Sequence, residues 1–167
     1  MSKSSAFLTV TLTVFLTNCQ VIDNNSQEQH QARIVFGESI DGIKIGLDTT
    51  AVVQQLGRPH EIAIGDFPGV AYLYTSGKYE GLSLAIWTET MQGVQSVSIA
   101  APYEGKSADG VGIGSSREAV LQLLGLPDSS GAGAAADRLV DLYLFEEIKF
   151  GIVYQTGVIR SIAMSGR

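Results

Sequence analysis

The hydrophobic pattern divides the chain into one uncharged, largely apolar run, two stretches of helical period and six of alternating period. The run covers residues 6–16, eleven positions without a charge. The helical stretches carry Val52 and Leu56, then Val120 and Leu124, each pair spaced i,i+4 on one face. Ala51 and Ala119 beside them allow close approach of whatever packs there. The alternating stretches are residues 70–75, 82–88 and 94–100, then 139–145, 148–154 and 158–164. Within residues 82–88, Leu82, Leu84 and Ile86 alternate with Ser83, Ala85 and Trp87, the period of two that a strand requires. Gly93 and Gly157 stand where hairpin loops want a positive φ.

The helical stretches read as a duplication. Residues 41–60 align without gaps on residues 109–128, and ten of the twenty positions are identical. Chance would give about one or two. The shared pattern, G-x-x-I-G-x-x-x-x-A-V-x-Q-x-L-G-x-P, has a mechanical meaning. Asp48 is the expected N-cap of the first helix, and Ser115-x-x-Glu118 fits a capping box for the second. Gly57 and Gly125 suit the left-handed residue after a helix, and Pro59 and Pro127 prevent its continuation. Each helix is then about nine residues, too short to persist unless its apolar face packs on something.

The three alternating stretches after each helix supply that partner. The expected fold is α+β: two tandem repeats, each a short helix followed by a three-stranded antiparallel meander. Repeat 1 is placed over residues 34–102 and repeat 2 over residues 103–167. Units of this size are marginal alone, so the copies are expected to pack together or to continue one sheet. Residues 131–136, Gly-Ala-Gly-Ala-Ala-Ala, read as a mobile loop between helix and first strand. They lack the Lys-Ser/Thr of a phosphate cradle and follow no expected strand.

The apolar run at the start has a different purpose. Lys3, the run itself and the polar exit Thr17-Asn18-Cys19 compose an export signal. Eleven residues fall short of the about 20 that a membrane span needs. Leu16-Thr17-Asn18-Cys19 resembles the lipobox of bacterial lipoproteins, although Asn18 replaces the usual small residue. That resemblance implies a diacylglyceryl group on Cys19, cleavage before it, and a mature chain anchored stably by two or three acyl chains, palmitate among them. The alternative for Cys19 is a free or buried thiol. Residues 1–18 then form the signal peptide, and residues 19–33, polar and amide-rich, a flexible tether. By resemblance to the enterobacterial sorting rule, Gln20 after the cysteine implies the periplasmic face of the outer membrane.

Composition narrows the function classes. At 45% hydrophobic and 17% charged the chain is too apolar for intrinsic disorder, and a net charge of −6 argues against nucleic acid. Loss of Lys3 with the signal makes the balance more negative still. Anionic headgroups would repel such a body, so lipid on Cys19 must hold it at a membrane. One cysteine and two histidines exclude a disulfide framework and a Cys- or His-rich metal site. No cofactor is expected.

The G-x-x-x-x-x-V-x-x-x-L-G-x-P core, from Gly46 to Pro59 and from Gly114 to Pro127, resembles the helix of SmpA/BamE-type outer-membrane lipoproteins. Those place the motif before a three-stranded sheet and assist β-barrel assembly. A tandem of helix-plus-sheet units is also similar in plan to β-lactamase-inhibitor proteins. Both resemblances imply an envelope module that binds another protein, either as scaffold or as inhibitor of a periplasmic enzyme.

Catalytic chemistry finds little purchase. His60 follows Pro59 and is matched by Asp128 in the second copy, which reads as turn chemistry. Glu146 and Glu147 are adjacent on a strand and point to opposite faces. Asp41 and Asp109 precede glycines, a turn pattern and only a weak calcium motif. No serine sits in a G-x-S-x-G elbow. The expectation is therefore no enzyme, with no catalytic residue and no small-molecule substrate. Trp87 is the candidate partner contact, on small neighbours opposite Leu84 and Ile86; alternatively it packs between the two repeats.

Overall fold

The computed structural model describes residues 33–64, 69–75, 84–89 and 91–167; the signal, almost all of the tether and Cys19 lie outside them. The first elements are β1 (Ile34–Val35), β2 (Ser39–Ile40), α1 (Thr49–Leu56), β3 (Glu61–Ile64), β4 (Val70–Tyr74), β5 (Leu84–Glu89) and β6 (Gly93–Ala100). They are followed by α2 (Arg117–Leu124), β7 (Ser129–Ala132), β8 (Arg138–Phe145), β9 (Ile148–Gln155) and β10 (Val158–Gly166). Strands β1 and β2 form a small hairpin. The other eight make one antiparallel sheet in the order β3-β4-β5-β6-β10-β9-β8-β7.

This overturns the expected fold class. Among the described residues strand predominates, with two short helices on one eight-stranded sheet rather than two units of helix plus three-stranded meander. Two strands of this sheet escaped the periodicity, as did the short β1 and β2 outside it. β3 is four residues immediately behind the Pro59 turn, and β7 is Ser-Ser-Gly-Ala, with no apolar alternation to announce it. Part of the presumed mobile loop is thus an edge strand paired with β8 from Ser129↔Leu142 to Ala132↔Leu139. Pairing of β6 with β10, from Ser161↔Ala100 to Ser165↔Ser96, makes the sheet continuous.

The local chemistry of the two helices is closely parallel. Asp48 caps α1 by accepting from the Thr50 amide at 2.7 Å. Ser116, one residue beyond the expected Ser115, caps α2 by accepting from the Ala119 amide at 3.2 Å. The Ser115 hydroxyl instead accepts from the Gly112 amide. After each helix a glycine takes positive φ, 83° at Gly57 and 79° at Gly125. A tyrosine from the sheet donates to each of those glycine carbonyls: Tyr74 to Gly57 at 3.1 Å and Tyr143 to Gly125 at 3.2 Å. The loops before the helices are tied alike, Gly46 and Leu47 to Val94, and Gly114 and Ser115 to Ile159. At Gly93 a side chain is excluded outright, because a Cβ would lie 2.5 Å from the Leu47 carbonyl oxygen.

One face of the sheet carries the core. Leu84, Ile86, Val97, Ile99, Phe150, Ile152, Ile162 and Met164 are buried in the same cluster as Val52 of α1 and Val120 of α2. Burial of such side chains contributes about 1.5–3 kcal/mol each, and it is what holds two eight-residue helices in place. The N-terminal hairpin extends the cover over the second half, with Phe36 edge-on to Phe150 at 5.5 Å. The other face of the sheet carries neither helix.

Candidate functional site

The helix-free face is built by the alternation itself. Wherever a strand sends an apolar side chain to the core, the residue between points the other way. Cross-strand partners then line up as Leu73, Ala85, Ser98, Ala163, Gly151 and Leu142, a row across six strands. Its four central members are small, so the sheet backbone forms the floor of a shallow trough between two leucines. The adjacent row runs Ala71, Trp87, Ser96, Ser165, Lys149 and Leu144. Trp87 is half-buried on this face, opposite Ala71 and Ser96, both in its own half of the sheet. It does not belong to the buried core cluster. Thr88 faces the core and Trp87 outward by ordinary alternation along β5, while the bulge lies on β6, where Gln95 is the extra residue and Val94 and Val97 both reach the core.

The core-facing side holds a polar arrangement that the hydrophobic pattern did not single out. Asp141 is fully buried and takes a two-pronged ion pair from Arg117, Nε to Oδ2 at 2.7 Å and Nη2 to Oδ1 at 3.1 Å. The Ser130 hydroxyl also donates to Asp141. Hydrogen bonding to Asp141 holds the Arg117 pKa above its ordinary value. Burial first, and the Asp141 charge second, push the phenols of Tyr154 and Tyr143 upward. The signal was present in the sequence: Asp141 interrupts the core-facing series Leu139, Tyr143, Phe145, and a charge in that position demands a partner. Both carboxylate oxygens are engaged, so the cluster braces α2 against β7 and β8.

In the first half, the places of Arg117, Ser130, Asp141 and Tyr154 are taken by Thr49, Ile62, Tyr72 and Thr88. Thr49 is too short to span the gap that Arg117 fills. A crevice of about 330 Å³ results, lined by Thr49, Tyr72 and Thr88 together with Asp48 and Glu89. Asp48 is committed to the helix cap, and its hydrogen bonds to Thr50 hold the carboxyl below the usual carboxylate range.

The other residues singled out from the sequence take structural places. His60 and Asp128 occupy matching positions, His60 Nδ1 accepting from the Thr75 amide and Asp128 Oδ2 from the Leu144 amide. Asp41 accepts a two-pronged ion pair from Arg33 at 2.6 and 3.0 Å. Among the described residues no three His, Cys, Asp or Glu side chains converge as metal ligands. No described helix is long and apolar enough to cross a membrane.

No protein-family model matches the sequence, and no curated protein matches it. Solved structures do resemble it in fold. A DUF4309 family protein from Bacillus subtilis superposes with a TM-score of 0.56 at 14% identity, covering 83% of this chain and 90% of that one. An extracellular protein containing an SCP domain from Bacillus anthracis gives 0.56 at 12% identity, over 73% of this chain and 44% of that one. A cysteine-rich secretory protein from Staphylococcus aureus gives 0.53 at 11% identity, over 74% and 43%. The chain thus spans under half of the last two proteins. A β-lactamase-inhibitor-type protein from Streptococcus mutans reaches only 0.28, too low to carry an argument. These likenesses establish a shared arrangement of helices and sheet, and nothing about ligand or partner.

Proposed function

We propose that this chain is a lipid-anchored envelope protein whose folded body binds another envelope protein through the helix-free face of its sheet. The observation that carries the reading is the placement of Trp87 at the side of a trough of small residues that runs across four strands. A tryptophan in such a place offers large contact area at little entropic cost, and the flat floor admits a partner's side chains. Anchoring rests on the lipobox-like Leu16-Thr17-Asn18-Cys19. A scaffold role beside the outer-membrane assembly machinery follows from that location. It gains nothing from fold, because the body lacks the separate three-stranded sheet of SmpA/BamE-type proteins. The second reading, inhibition of a periplasmic enzyme, is favoured by the breadth of the face, which suits a folded partner better than a peptide.

Crosslinking and capture of the full chain from envelope membranes, with and without Trp87→Ala, is the test. Loss of the captured protein in the variant supports the reading, and barrel-assembly components or a single periplasmic enzyme as the captured species separates the two roles. An unchanged captured set overturns the Trp87 face. Independently, Cys19→Ala should abolish palmitate labelling and release the chain from the membrane; retention without label would refute the anchor.

A further inference from the structure

We propose that the crevice beside the first turn of α1 binds a guanidinium group from outside the chain, the group that Arg117 supplies from within at the matching place of the second half. The two places correspond position by position. Arg117 follows the Ser116 cap of α2 as Thr49 follows the Asp48 cap of α1. Tyr154 pairs across its hairpin with Ile159 as Thr88 does with Val94. In the second half the guanidinium lies against Asp141, and the Tyr154 ring is buried in the core. In the first half both of those long side chains are threonines, Thr49 and Thr88, and the crevice of about 330 Å³ is the result. The inference rests on neither the lipid anchor nor the Trp87 face.

Charge changes together with volume. Where the second half has Ser116 and Gln155, the first has Asp48 and Glu89, and both carboxylates line the crevice. The second half balances one cation with one carboxylate, whereas the first sets two carboxylates with no lysine or arginine among the described lining residues. Hydrogen bonds to Thr50 favour the ionised form of Asp48. A carboxylate can accept about four hydrogen bonds, so the helix cap at Oδ1 leaves capacity for a ligand's N–H groups. Deeper in, Thr88 is 1% exposed yet lines the crevice, and its hydroxyl donates to the Val70 carbonyl at 3.4 Å, which leaves its oxygen to accept. Tyr72 adds an aromatic ring to the same wall.

A wall of carboxylates, a hydroxyl acceptor and an aromatic ring selects among cations. A guanidinium is planar, carries N–H donors along its edge and stacks on rings, and it gives up hydration more readily than an ammonium. A hard divalent cation would want six or more oxygens, and the described residues offer no group of three acidic or imidazole ligands. A neutral polyol would leave both carboxylates without a counter-charge. A helix N-terminus ordinarily disfavours a cation. Arg117 nevertheless stands at that end of α2, and at α1 the Asp48 carboxylate offsets the dipole.

N-acetyl-arginine amide titrated into the full chain in uncharged detergent should shift the amide resonances of Thr49, Thr88 and Glu89, with a Kd on the order of 1 mM. N-acetyl-citrulline amide, its uncharged isostere, should bind at least about ten-fold more weakly. Thr49→Arg, which places the second half's cation in the crevice, should abolish the shifts. Asp48→Ser, which keeps a cap of the kind Ser116 makes, and Glu89→Gln should each weaken binding about two- to five-fold, and they keep the test open if Thr49→Arg misfolds. Agmatine beside the arginine amide distinguishes a free guanidine from a protein's arginine as the source, and tighter binding of either supports the site. Equal binding of the citrulline amide, an unchanged Kd in Thr49→Arg or in both carboxylate variants, or no shift up to about 20 mM ligand overturns the proposal.

Discussion

The two halves of the sheet share their helix caps, their tyrosine struts and their loop ties, and differ in what stands between helix and sheet. In the second half Arg117 reaches from the first turn of α2 to Asp141 and Ser130, locking helix, β8 and edge strand β7 together. In the first half Thr49, Tyr72 and Ile62 replace them, leaving a crevice and an apolar edge. The lesson is that a common frame of caps and struts tolerates opposite solutions at its interior. One half is rigidified by a buried ion pair, and the other leaves surface to be covered.

That contrast is broken most severely at Asp141. Arg117→Ala leaves the fully buried Asp141 carboxylate without its ion-pair partner and should cost about 3–5 kcal/mol, read as a shift in the chemical-denaturation midpoint. Tyr72→Phe at the matching place should cost under about 1 kcal/mol, and equal losses would mean the halves are braced alike. Core truncation tests the shared part instead. Ile86→Ala and Ile152→Ala, cross-strand equivalents, should each cost about 2–5 kcal/mol, because both are fully buried and their cavities are framed alike. The tyrosine struts sharpen the likeness at smaller scale. Tyr74→Phe and Tyr143→Phe each remove one hydrogen bond to a helix-end carbonyl and should cost about 0.5–1.5 kcal/mol, matching in melting temperature.

Titration gives the subtlest separation. The Tyr154 phenol has its folded pKa raised above the ordinary 10.0, so folding favours its neutral form. Its contribution is complete below that value and is lost as pH rises through the folded pKa. Burial raises Tyr154 and Tyr143 in the second half but Tyr74 in the first, so the second half should lose more stability in alkali, and Tyr154→Phe should reduce that sensitivity in a pH-dependent melt. Asp48 works in the opposite sense. Its folded pKa lies below 3.8, so the α1 cap is complete above that value and lost as pH falls through the folded pKa. Ser116 does not ionise in this range, so acid should fray α1 before α2, visible in amide exchange of Thr50.

Much of the frame was legible. The glycines at 57 and 125, the cap at Asp48 and six of the strands follow from spacing and residue type, because caps, left-handed turns and period-two burial are local requirements. β3 and β7 were not legible, since a four-residue edge strand needs only a neighbour to pair with and no apolar alternation of its own. The outward position of Trp87 could be read from its parity with Leu84 and Ile86, whereas its neighbours Ala71 and Ser96 come from register.

The sequence by itself determined the duplicated helix with its stops and the parity of six of the ten described strands. Only the tertiary structure decided that β6 meets β10, and with it that the two halves form a single sheet with both helices on one face. The physical reason is range. Caps, turns and alternation are fixed by residues a few positions apart, while strand order is fixed by pairings more than sixty residues apart that no local pattern encodes.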